Sequence, residues 1–198
     1  SCNNSNFSTI HKNTSHKKSS IYLKGLRDNF SFTNSKQQQI TAKMRYSKTL
    51  AGHQKFLNTY LKQKDKDHLI EKPEVFGNIS EEEYKKKMHR KNVYAKNGKK
   101  IKTISNNFKW ILSPEKKLTD EQFHIFTEKF ISELEKETGK KYDWQAAIHR
   151  DTPHPHVHVL INGLDQDGKL FRFNKEVVKN TVRKICQNIL TEQLGERD

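Results

Sequence analysis

The chain begins without a hydrophobic rhythm. Residues 1 to about 38 are dominated by Ser, Asn, Lys, His and Gln, with scattered apolar positions such as Ile21, Leu23, Leu26 and Phe30. Such a stretch buries too little apolar surface to offset the entropy of ordering, which predicts a mobile polar arm. Alternation starts at Ile40. There Ile40, Ala42, Met44 and Tyr46 are separated by Thr41, Lys43 and Arg45, the period of a strand with one buried face. Over residues 52–64 the apolar positions Phe56, Leu57, Tyr60 and Leu61 fall instead at helical spacing, so on pattern alone Tyr60 reads as a core tyrosine.

Further along, Ser80 followed by Glu83 is a capping-box pair that opens a basic helix and loop extending to Lys102. Residues 107–112 read as a second strand, closed by Ser113-Pro114. Thr119 and Gln122 then repeat the capping box, and Phe123, Phe126, Phe130, Ile131 and Leu134 form the stripe of a long helix. Gly139 stands where a left-handed cap would end it. Residues 144–149 and 156–162 are two strands whose connection is too short for a parallel crossover, so they pair antiparallel. A last helix over residues 174–194 presents Val177, Val178, Val182, Ile185, Ile189 and Leu190 on one side. These elements predict an α+β domain over residues 39–198, with an antiparallel central sheet of about five strands flanked by helices.

Composition narrows the partner. With 38 Lys and Arg against 23 Asp and Glu, the chain carries a formal charge of +15. That balance points first to nucleic acid, through counterion release, ahead of an acidic membrane or a merely solvated basic surface. No apolar run approaches the roughly 20 residues of a spanning helix, so no membrane insertion is expected. Cys2 and Cys186 lie far apart and outside any CxxC pattern, which argues against a disulfide framework and suits a reducing cytoplasm.

The residues that carry chemistry are concentrated between His149 and Asn162. Four of the ten histidines fall within ten residues there: His149, His154, His156 and His158. Strand alternation puts His156 and His158 on one face while Val157, Val159 and Ile161 point to the other. Antiparallel pairing would bring His149 beside His156, so three nitrogen donors could converge on one metal ion and leave coordination positions open. Asp151 is either a partner for a ligand's second ring nitrogen or a turn residue before Pro153. His154, next to the ladder-interrupting Pro155, is left out of the ligand set.

The pattern His149-x-Asp151-x-x-His154-Pro155-His156-x-His158, with apolar residues and Asn162 after it, resembles the third motif of conjugative DNA relaxases of the HUH-endonuclease superfamily. The likeness is to the branch that contains the T-DNA border endonuclease and broad-host-range plasmid mobilisation relaxases. Phe108-Lys109-Trp110-Ile111-Leu112-Ser113-Pro114 is similar to the second motif, and Leu194-Gly195-Glu196-Arg197-Asp198 to the end of the catalytic core. His53-Gln54-Lys55-Phe56-Leu57-Asn58-Thr59-Tyr60-Leu61-Lys62 best fits the first, tyrosine-bearing motif. The similarity covers about residues 39–198.

The resemblance implies a metal-dependent enzyme that nicks and rejoins one DNA strand at a transfer origin through a 5′-phosphotyrosyl intermediate. It names Tyr60 as the nucleophile, with Tyr46 next and Tyr84 and Tyr94 behind; Asp151, in its reading as a ligand's partner, joins Tyr60 among the candidate catalytic residues. Ser113 would hold DNA near the tyrosine, or else cap the helix that follows. Lys85, Lys86, Lys87, Arg90, Lys91, Lys99 and Lys100 would contact phosphates, while Tyr84 and Tyr94 stack on bases. Magnesium or manganese is the metal implied, although three imidazoles also suit zinc, nickel or cobalt. The implied partners are single-stranded origin DNA, accessory relaxosome proteins and a coupling protein, with the domain itself a monomer. Two other readings fit part of the pattern: a rolling-circle replication initiator or tyrosine transposase of the same superfamily, and a non-catalytic basic nucleic-acid-binding module with structural zinc.

Overall fold

The computed structural model describes residues 36–47, 74–87, 91–104, 106–150 and 152–198. In chain order these form β1 (Ile40–Ser47), β2 (Val75–Gly77), α1 (Glu81–Lys86), β3 (Lys91–Tyr94), β4 (Lys100–Ile104), β5 (Asn107–Pro114), α2 (Asp120–Thr138), β6 (Tyr142–His149) and β7 (His156–Asp165). A π-helical turn, Val177–Thr181, leads into α3 (Val182–Leu194). The helix expected over residues 52–64 lies outside the described residues, as does the arm up to residue 35. Residues 36–38, which the sequence reading gave to the arm, are tied to the carboxy-terminal end of the chain. Gln37 donates to Asn188 at 2.9 Å, the Gln38 amide to Thr191 at 3.0 Å, and the Arg197 amide to the Lys36 carbonyl at 2.7 Å.

Five strands make one antiparallel sheet in the order β1-β5-β7-β6-β2. The α+β architecture expected from the sequence is thus present. Period-two alternation gives the sheet two faces. One carries Trp110, Leu112, Val157, Val159, Ile161 and Ala146, packed under Phe123, Phe126, Phe130, Ile131 and Leu134 of α2 and Val182, Cys186, Ile189 and Leu190 of α3. The predicted stripe of α2 is buried in full. Both of its ends are also as expected. Thr119 and Gln122 form the reciprocal capping box, and Gly139 takes the left-handed cap at φ 66°. Asn174 caps the last helical segment through the Val177 amide at 2.8 Å.

Three features depart from the sequence reading. The strand β2 was not anticipated: it is only three residues long, and it is held by pairing with β6 and by Phe76 stacking on His124 of α2, ring centroids 3.9 Å apart. Strands β6 and β7 run further than expected, to Tyr142 and Asp165. The basic stretch is the third departure, a six-residue helix followed by the hairpin β3–β4 in place of a helix and loop. The cause is local. Asn97-Gly98 makes the tight turn, with Gly98 at φ 77°, the Lys99 amide donating to Asn97 Oδ1 at 3.1 Å and the Ala95 amide to the Lys99 carbonyl at 2.7 Å. Among the described residues no helix is long and apolar enough to cross a membrane.

Candidate metal centre

The second face of the sheet carries the polar set. His149 and His156 are direct register partners across β6 and β7, and His158 pairs with Ala147 on one side and Ile111 on the other. All three therefore project from the face opposite the α2–α3 core, as alternation required. One ligand atom from each lies within 4.8 Å of the others. His149 and His158 are buried and His156 is partly exposed, so the cluster opens to solvent on the His156 side.

Their protonation is set by the surroundings. Burial, then the neighbouring His149, His156 and Lys109, push His158 down to about 2. It is a neutral imidazole in the folded protein, the form that ligates metal. His156 places Nδ1 3.0 Å from the His154 carbonyl, which also accepts from the Thr152 hydroxyl at 2.9 Å. A donor at Nδ1 leaves Nε2 of His156 as the lone-pair nitrogen, the usual way a carbonyl fixes a ligand's tautomer. His154 thus contributes its backbone.

The donor set fits a divalent cation. Nε2 of His156 and Nε2 of His158 are 3.0 Å apart. Two nitrogens each about 2.1 Å from an ion at an angle of about 90° would be separated by about that much. The connection between the two strands is fastened at both ends. Arg150 reaches Asp120 at 2.7 Å and the Leu118 carbonyl at 2.9 Å, with its guanidinium 5.6 Å from the Phe123 ring centre. At the other end Ser113 donates to the Pro155 carbonyl at 3.4 Å.

The other expected site residues are distributed unevenly. Ser113 sits in β5 beside the start of β7, and Thr119 is the cap of α2, so the capping role considered for Ser113 is not the one it has. Tyr46 pairs with Phe108 and shares the alternation of Ile40, Ala42 and Met44, which places it on the α2–α3 side, opposite the triad. Tyr84 cannot stack on bases or attack: it is fully buried against Ala147 and Leu160, its hydroxyl 3.4 Å from Asn107. Burial, then the Asp143 carboxylate, drive its phenol well above the ordinary range. Tyr142 lies in the helix-side core, with burial the main cause of its rise to about 12. Tyr94 is exposed on the hairpin beside exposed Lys99 and Lys100. Lys85 and Lys86 belong to α1, Lys91 opens β3, and Lys87 is ion-paired with Asp143 at 3.2 Å. Tyr60, Arg90 and Asp151 lie outside the described residues.

A buried lysine also belongs to this face. Lys109 is fully buried in β5, paired with Leu160 and so diagonal to His158, and it is held down to about 7 by burial and then by Arg45. The signal was present: Lys109 alternates with the apolar Phe108 and Trp110, on the parity of Ile111, the partner of His158.

An antiparallel sheet whose adjacent inner strands bring three histidines to one point is a scaffold able to hold a catalytic cation. The family model described as Relaxase: MobA/VirD2-like, nuclease domain matches residues 54–193, and the chain belongs to that family. It is a relaxase nuclease domain, a DNA-nicking enzyme that acts on single strands. None of the curated proteins and none of the solved structures compared with it matches.

Proposed function

We propose that this domain cuts one DNA strand at a transfer origin, with Tyr60 as the attacking group and His149, His156 and His158 holding a divalent cation. The observation that carries the reading is the convergence of the three imidazoles on one face of a relaxase-family sheet. When bound, the cation supplies neutralisation of phosphate charge, which lowers the cost of bringing a phenolate to a phosphodiester.

The protein's own residues do the rest. The tyrosine oxygen forms a bond to phosphorus as the bond to the 3′ oxygen breaks, giving a 5′-phosphotyrosyl ester and a free 3′-hydroxyl once that oxygen takes up a proton. Because one phosphodiester replaces another, the same site can rejoin the strand. The placement of other tyrosines supports Tyr60: Tyr46 faces the α2–α3 side, and Tyr84 and Tyr142 are buried.

The test is a denaturing gel of protein incubated with manganese and an origin-derived single strand. Wild type forms a covalent protein–DNA band, whereas Tyr60→Phe forms none yet still binds the strand. An adduct of undiminished yield on Tyr60→Phe would move the nucleophile elsewhere. His156→Ala is expected to lose both manganese binding and the adduct.

A further inference from the structure

Outside the family-matched range, the edge strand β1 presents a second set of groups to the triad's face. Thr41, Lys43 and Arg45 alternate with the core-facing Ala42 and Met44, and all three are exposed. Register fixes where they lie. Lys43 pairs with Ile111, which pairs with His158; Arg45 pairs with Lys109, which pairs with Leu160; Thr41 pairs with Ser113. Lys43 is therefore two strand spacings from His158, about 9.6 Å along the same face. Lys43 and Arg45 are about 6.6 Å apart along β1, on the order of the step between successive phosphates in an extended strand. Among the described residues neither one is in an ion pair. Like charges placed side by side repel one another, an arrangement suited to a polyanion.

We infer that the β1 edge is a phosphate track, with Lys43 and Arg45 each contacting one phosphate of the single strand as it runs toward the triad. The inference rests on the nuclease reading for the identity of the polyanion. It differs from the expectation that the 85–102 stretch supplies the phosphate contacts, because β1 stands on the triad's own face and in its register rows.

The experiment measures the affinity of a fluorescein-labelled, mixed-sequence single strand over a range of potassium chloride concentrations, in EDTA so that no cleavage intervenes. The Lys43→Ala/Arg45→Ala double variant is compared with Lys179→Ala/Arg183→Ala, which removes the same charge from exposed positions on the helical side. If each cation neutralises one phosphate, the slope of log affinity against log salt falls by about 1.4 for the β1 variant, at about 0.7 per charge on a single strand. It stays unchanged for the control pair. Melting temperature and manganese binding remain those of wild type in both. A β1 variant with the wild-type slope, or a control pair with the same fall, overturns the track. Wild-type protein that fails to bind a single strand at all overturns both the track and the nuclease reading. Wild-type protein that binds the strand but forms no covalent adduct sinks only the nuclease reading, and the slope still decides the track.

Discussion

The His158 imidazole is held without a proton by the fold itself. In the unfolded chain it takes one up as pH falls through about 6.5, whereas in the folded protein it resists until about 2. Between those values the unfolded state binds more protons, so acid destabilises the metal-free protein from about pH 6.5 downward. His158→Asn removes this contribution. In EDTA its melting temperature is expected to fall less than that of wild type between about pH 7 and about pH 5, which thermal unfolding monitored by circular dichroism would show; equal falls would contradict the assignment. The triad was legible in the sequence because the two-residue spacing of His156 and His158 and the short connection back to His149 leave little freedom. Tyr84 was not, because a lone tyrosine among lysines looks the same whether it covers a sheet or faces solvent. Burial beneath Leu160 and Ala147 is a long-range fact that local pattern does not contain.

Among the elements, α2 shows how far local rules reach. Its capping box, stripe and left-handed cap were all readable, since each is a contact between residues three or four apart. Thr119→Ala should cost about 1 kcal/mol, the worth of a hydroxyl cap, measurable by urea denaturation with an unchanged slope. A loss near zero would mean that water satisfies the freed Gln122 amide as well as the hydroxyl does. The β3–β4 hairpin is an instructive opposite. Its Asn97-Gly98 turn was equally local, but the surrounding charge run hid any alternation. The strand β2 could not be found locally at all, because three residues acquire a strand's identity only from β6 and from the His124 ring.

Across the whole molecule, stability is distributed by position in the sheet. β5 and β7 are interior strands with ladders on both sides, and they hold Trp110, Val159 and Ile161 at full burial. Their amides should exchange with deuterium most slowly, at rates set by global unfolding, while β2 and the hairpin exchange by local opening. Fast exchange at β7 would mean that the triad rests on a strand that opens by itself. The sheet's outer boundary has one practical effect. β1 pairs along its whole length with β5, Ile40 to Ser47 against Pro114 to Asn107, yet the family match begins only at residue 54. A chain trimmed to that match would expose the full backbone edge of β5 beside Trp110 and Leu112. Bare hydrophobic edges of this kind recruit strands from other molecules, so such a fragment would be prone to self-association before it met any DNA.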